Sequence, residues 1–426
     1  MLRPRKTLSL LMFMDQPQTA RQRVVVCLAA LGLLCAPAGL RAQIPDAPAP
    51  ARPAVSQSRS LPEDLPAQPA IAPSLRIPAE PLGYAPPGSN AVGERAVLLS
   101  LEFLDENHLL FSFRVPGLLK RSEGELAGRQ IRAVLLELTE GHVVAEGLWR
   151  ADGRLRSIWP TGNGEFLLRT GNEIKRGNAA LELKPFLRFD GPIDWVSLSP
   201  DGSHLAVDTE GQEEEKEHTL RIVEGTSGKV ILESHNKAMI PLELLHDSFL
   251  EPLSGRGIGW ILNRHYFTGP SHAMAALESE CTPVYHPLDE RLNLLSACTN
   301  KGAEQMLAVG VNGRLLWQLN GSESELWPEI TRAASGQRFL RESLMLNRPV
   351  WRNPQVDPRE IRGELVEVID AADGRLVFSA TTSPVLDGYG NAALSPSGRR
   401  VALLREGAVQ IFELPAPQII PTEALD

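Results

Sequence analysis

Trp195-Val196-Ser197-Leu198-Ser199-Pro200-Asp201-Gly202-Ser203-His204-Leu205-Ala206-Val207 returns 196 residues later as Asn391-Ala392-Ala393-Leu394-Ser395-Pro396-Ser397-Gly398-Arg399-Arg400-Val401-Ala402-Leu403. Each copy reads as strand, tight turn, strand. Pro presets φ near −65°, Asp or Ser closes the turn with its side chain, and Gly takes the positive φ that other residues avoid. The triplets Leu205-Ala206-Val207 and Val401-Ala402-Leu403 then read as strands packed on both faces, with a central Ala that permits close approach of a neighbouring sheet. The motif shapes and packs a chain; it carries no chemistry.

A second hairpin recurs at Thr139-Glu140-Gly141-His142, Thr226-Ser227-Gly228-Lys229, Val311-Asn312-Gly313-Arg314 and Ala372-Asp373-Gly374-Arg375. The glycine supplies the positive φ that a tight hairpin needs. The first two intervals, 87 and 85 residues, are each close to two units of about 43. A four-stranded propeller blade takes roughly 40–50 residues. The last interval, 61, is one unit with an insertion, and residues 346–362, with Pro349, Pro354 and Pro358, have the composition of that insertion. Short apolar runs separated by Gly, Asn and Asp turns fill residues 94–415, with no sustained helical period, so the fold class is all-β.

Seven blades follow, with six and eight as alternatives. They hold residues 99–115 and 132–149; 155–175 and 181–189; 193–233; a unit from 241 through 259–267; 292–298 and 306–319; 329–346 and 364–380; and 391–414. The seventh is one strand short. Propellers complete such a blade with a strand from the other terminus, which removes a bare edge, and residues 95–99 are available for that role. The quoted repeat resembles that of TolB-type propellers and related WD-like propellers, well at the two full copies and weakly at residues 101–109. The resemblance implies a toroid with a central channel, usually a binding or scaffold module and in some relatives an enzyme.

Ahead of the propeller, Arg21 and Arg23 precede an apolar run over residues 24–35 and then Ala-Pro-Ala-Gly-Leu-Arg-Ala. That is the layout of a secretory signal, and the run is too short to span a hydrocarbon core of ~30 Å comfortably. Residues 1–42 are expected to be a signal peptide cleaved after Ala42, although Leu40 stands where a small residue is preferred. The alternatives are an uncleaved membrane anchor and a start at Met14. Residues 43–93 read as a Pro/Ala-rich disordered linker, with twelve prolines between Pro45 and Pro87 and too little apolar surface to order itself. Residues 416–426 read as a disordered tail. The chain is thus expected in the periplasm or outside a bacterial cell.

Of 43 basic and 52 acidic residues, six and one lie in residues 1–42, which leaves 37 against 51. Such a surface repels phosphate backbones, so nucleic acid is not an expected partner. Cys27 and Cys35 leave with the signal. Cys281 and Cys298 remain, and an even pair in an exported chain implies a disulfide; two buried thiols are the alternative.

The chain has no G-x-S-x-G, no His-Glu-x-x-His and no C-x-x-C, so no nucleophile elbow or strong metal signature directs it to an enzyme class. No catalytic residue, cofactor or metal site is expected. Gly255-Arg256-Gly257-Ile258-Gly259 has no helix pattern after it and reads as a turn. His265, His272 and His286 are metal ligands only if their loops converge. Glu213-Glu214-Glu215-Lys216-Glu217 reads as a solvated hairpin tip, and Asn320-Gly321-Ser322 fits a glycosylation acceptor. Geometry is more informative. Loops leading into innermost strands line one mouth of a propeller channel, which nominates Asp190, Asp194, Trp195, Asp387, Tyr389 and Asn391 as ligand contacts. Their alternative is core for Trp195 and turn chemistry for the aspartates. The sequence therefore points to a β-propeller that binds a protein, peptide or carbohydrate; a lactonase-like hydrolase or lyase working through channel carboxylates and histidines is the alternative.

Overall fold

The structure is a computed structural model. It describes residues 57–61, 65–66, 69, 71–86, 99–114, 129–151, 157–162, 164–211, 217–237, 239, 242–298, 304–350, 357–386 and 389–418. Two strands, β1 (Gln57–Ser60) and β2 (Leu75–Pro78), precede the first blade. Blade one is β3 (Ser100–Phe103), β4 (His108–Arg114), β5 (Arg129–Glu137) and β6 (His142–Ala151). Blade two is β7 (Ile158–Gly162), β8 (Glu165–Thr170), β9 (Glu173–Gly177) and β10 (Leu183–Arg188). Blade three is β11 (Ile193–Leu198), β12 (His204–Glu210), β13 (His218–Glu224) and β14 (Val230–Asn236). Blade four is β15 (Glu243–Leu244), β16 (Ser248–Ser254), β17 (Gly259–Tyr266) and β18 (His272–Glu278). Blade five is β19 (Val284–Pro287), β20 (Leu292–Cys298), β21 (Glu304–Gly310) and β22 (Leu315–Asn320). Blade six is β23 (Glu325–Arg332), β24 (Arg338–Leu346), β25 (Ile361–Asp370) and β26 (Leu376–Thr381). Blade seven is β27 (Ala392–Leu394), β28 (Arg400–Arg405) and β29 (Ala408–Glu413).

The consecutive strands of each blade form an antiparallel meander, and the seven blades together form an all-β propeller. The two quoted hairpins are β11–β12 and β27–β28, as the repeat requires. The four hairpin glycines take φ between 69° and 77° and join the third and fourth strands of blades one, three, five and six. The insertion is the connection from β24 to β25.

Seven apolar clusters lie between neighbouring blades and close the ring. Leu205 and Val207 face blade two with Trp159 and Leu167, whereas Ala206 faces blade four with Leu242 and Phe249. In blade seven, Val401 and Leu403 face blade six and Ala402 faces blade one. The second strands are thus buried on both faces, with bulk on one and Ala on the other. Blades five and six are also joined by charge. Fully buried Arg341 reaches Glu325 at 2.5 and 2.7 Å, Glu304 at 2.9 Å and Glu367 at 3.2 Å. Several carboxylates around one guanidinium hold its charge in the interior, where a lone ion is excluded.

Ring closure differs from the expectation. The fourth strand of blade seven is β2, antiparallel to β29, with Leu75 opposite Ile411 and Pro78 opposite Ala408. Leu99 lies directly before innermost β3, and residues 95–98 lie outside the described residues, so the strand observed on β29 is β2 rather than the expected segment. β2 comes from the segment expected to be a linker. That segment also supplies β1, which adds in parallel to β22 as a fifth strand of blade five. Leu61 packs with Trp317 and Phe339, and Tyr84 with Phe111 and Phe113. The predicted signal, residues 1–42, lies outside the described residues.

Cys281 and Cys298 form a disulfide, separated by 17 residues. Cys281→Ser or Cys298→Ser is expected to lower the unfolding free energy by about 3 kcal/mol, read from urea denaturation; an unchanged midpoint contradicts this. A chain beginning at Ser74 keeps β2, and one beginning at Gly88 loses it. The first is expected to melt cooperatively and the second to lose its cooperative transition or aggregate; equal melting by circular dichroism contradicts the assignment of β2 as the closing strand.

Candidate functional site

The connections sort by face. Those between first and second strands, and between third and fourth, run from two to five residues; we call this the turn face. The opposite face carries the other connections, among them the described parts of 347–360 and 382–391; we call it the loop face.

The turn face is tied across blade boundaries. Asp105, Asp201, Asp289, Ser335 and Ser397 each accept a backbone N–H two residues on, the same side-chain turn in five blades. The Ser397 amide and hydroxyl both donate to Glu106 of blade one. The Ser335 amide donates to the Pro396 carbonyl at 2.9 Å, and buried Arg338 to the Gly398 carbonyl at 2.8 Å. His246 of blade four lies 2.6 Å from Asp201 of blade three and donates its amide to Glu290 of blade five at 2.7 Å. Ser203, His246 and Asp201 have the residue types of a nucleophilic triad. Yet Ser203 and Asp201 both meet His246 through Nδ1, whereas a triad needs the two imidazole nitrogens for separate partners.

Inside the ring, Arg332 of blade six donates to the Leu198 carbonyl of blade three at 3.2 Å. These blades are not neighbours, so this bond bridges the channel near its turn-face end. Beside it, the Ser197 hydroxyl donates to Glu243 at 3.2 Å. Burial pushes the Glu243 carboxyl up to about 7, against the lowering effects of Arg332 and Ser197. Burial, with Arg332 adding to it, pushes His286 down to about 4.

At the loop face, the approach to β11 is fixed by backbone. A Cβ on Gly191 would lie 1.9 Å from the Glu210 carbonyl oxygen, so only glycine fits. Ile193 pairs with Thr209 and Trp195 with Asp208, leaving Asp194 in a β-bulge. The bulge sets Asp194 and Trp195 together opposite Asp208. Asp208 is fully buried, and its Oδ1 lies 2.7 Å from His218 Nδ1. Asp194 Oδ2 lies 3.7 Å from the same nitrogen. Asp194, Asp208 and His218 offer donor atoms that all lie within 4.8 Å of one another. The buried indole N–H of Trp195 has no acceptor among the described residues.

The nominated residues thus fall in two places. Asp190 is exposed and Asp194 and Trp195 half-buried, all at the loop-face end of blade three. Tyr389 and Asn391 are buried in the connection from blade six to blade seven. Asn391 donates its amide to Pro384 at 2.8 Å, Thr382 at 3.0 Å and Glu364 at 3.1 Å, so it holds that connection together. Asp387 and residues 213–216 of the acidic run lie outside the described residues. His265, His272 and His286 sit on β17, β18 and β19 and do not form one group: His265 pairs with Glu251 at 2.8 Å, His272 stacks on Tyr266 and His286 meets Ser296 at 3.3 Å. Asp208 and His218 were missed. The repeat itself held a signal, because the 196-residue offset aligns Asp208 with Leu404: a carboxylate replaces core in one copy.

No protein-family model matches this chain, and no curated protein matches it. Solved propellers do. Acylaminoacyl peptidase from Pyrococcus horikoshii is 11% identical at a TM-score of 0.47, over 78% of this chain and 54% of that one. The β-propeller domain of the Trilobed protease from Pyrococcus furiosus is 11% identical at 0.45, over 76% and 98%. TolB from Acinetobacter baumannii is 13% identical at 0.38, over 69% and 78%. This chain is similar to all three in fold, with the TolB-type propeller architecture among them, and it spans about half the length of the peptidase. No helix of the described residues is long and apolar enough to cross a membrane.

The raised Glu243 carboxyl makes a pH prediction. Its folded value of about 7 exceeds the ordinary 4.5, so the folded state holds the proton more tightly and stability falls as pH rises between those values. Glu243→Gln removes this dependence. Its stability relative to the parent is expected to grow across that window by up to about 3 kcal/mol, measured by urea denaturation at about pH 5 and about pH 8. A constant difference contradicts burial of the carboxyl as the cause.

Proposed function

We propose that the protein is an exported bacterial propeller that binds a protein, peptide or carbohydrate through its loop face. The observation that carries the reading is the sorting of connections. Short turns on one face make bonds between blades, whereas the longer described connections emerge on the other. Binding residues concentrate on loops set by a rigid scaffold. Export is supported by the signal-like residues 1–42 and by the Cys281–Cys298 disulfide, since such bonds persist in oxidising compartments. Asp190, Asp194 and Trp195 mark the blade-three sector of the binding face. The second reading, a lactonase-like hydrolase or lyase, is favoured by one feature, the convergence of Asp194, Asp208 and His218.

A photo-crosslinking residue at Asp190 on the loop face, or at Asn312 on the turn face, tests the reading in an envelope fraction. Adducts of defined mass are expected from position 190 and not from 312. Adducts from 312 alone, or equally from both, contradict it.

A further inference from the structure

We propose that Asp194, Asp208 and His218 form a binding site for a single first-row divalent cation such as Zn2+ or Mn2+. The inference holds under either functional reading. Its basis is the way blade three departs from a regular sheet. Side chains alternate along a strand, so in an unbroken β11 Asp194 and Trp195 would point to opposite faces. The bulge between Ile193 and Trp195 cancels that alternation and brings Asp194 to the face of Asp208. His218 sits two positions from Leu220, the β13 partner of Asp208, and so joins the same face from the third strand. Three adjacent strands thus each contribute one donor, on scaffold rather than on loops.

The electrostatics point the same way. Two carboxylates near one another repel, and here one of them is fully buried, where an ion is least tolerated without a counter-charge. His218 is the third member, with its side chain 13% exposed. Ligand atoms around an ion with bonds of about 2.1 Å lie roughly 3–3.5 Å apart. The two carboxylate-to-imidazole separations, 2.7 and 3.7 Å, bracket that range, and all three donor atoms lie within 4.8 Å of one another, so side-chain adjustments without a change of fold seat the ion. Two carboxylates and an imidazole suit Zn2+ or Mn2+ better than Ca2+ or Mg2+, which take oxygen donors almost alone. Three protein donors leave a coordination position open, on the side of Asp194, whose side chain is 34% exposed.

The alternative is that the three side chains only bond to one another and hold no ion, and the test separates the two. The full-length mature chain, without a histidine tag and stripped of metal by dialysis against chelator, is titrated calorimetrically with ZnCl2 and separately with MnCl2. Saturable binding of one ion per chain is expected, with a rise in Tm. Asp194→Asn, at the more exposed position and isosteric, is expected to fold as the parent does and to weaken binding at least about 10-fold. His218→Gln is expected to abolish it. No saturable binding of either ion by the parent overturns the proposal, as does equal affinity in the parent and in Asp194→Asn.

Discussion

Closure of the ring by the pairing of β2 with β29 is the constraint on which the rest depends. A seven-bladed toroid buries each sheet between two others, so the interface of blade seven with blade one must be built from distant parts of the chain. Ile77 of β2 joins Ala402, Leu404, Val409 and Ile411 of blade seven and Leu101 and Phe111 of blade one in one core. Tyr84, just beyond β2, packs edge-on to Phe111 and Phe113. Without this strand β29 would present a bare edge, and the apolar face of blade one would lose part of its cover.

With the ring closed, the two faces take different work. The turn face is a belt in which Glu106, Arg338 and His246 bond to turns of neighbouring blades. Those bonds consume the polar groups of the repeated Ser-Pro-Asp/Ser-Gly turns, and Arg332 bridges the channel near that end. The loop face carries inter-blade bonds too, such as the Leu101 amide to the Gly390 carbonyl at 2.7 Å, but its connections differ more in length from blade to blade. The bulge at Asp194 lies at this end: one extra residue brings a carboxylate beside buried Asp208 and His218 without disturbing the hairpin turn Ser199–Gly202 at the other end of the same strands.

Much of the architecture was legible because turn chemistry is local. Gly141, Gly228, Gly313 and Gly374 marked a phase, and the paired motifs set the blade count. The strands of the Pro-rich segment were not legible. Gln57-Ser58-Arg59-Ser60 and Leu75-Arg76-Ile77-Pro78 are four residues each, with little alternation, among prolines; they exist because a waiting edge, β22 or β29, supplies their hydrogen bonds. Nor did the sequence show that Asn391, nominated as a channel-mouth contact, donates to Pro384, Thr382 and Glu364. Asp194 was nominated from the sequence, but its partners were not, since Asp208 and His218 meet it only through a bulge and a strand register.

Hydrogen exchange followed by mass spectrometry tests ring closure most directly. In the native full-length protein, the amides of the peptide covering residues 75–78 are predicted to exchange as slowly as those of residues 408–413. Rapid exchange at 75–78, as in a free chain, with 408–413 still protected would show that β29 is closed by something else and would contradict the account.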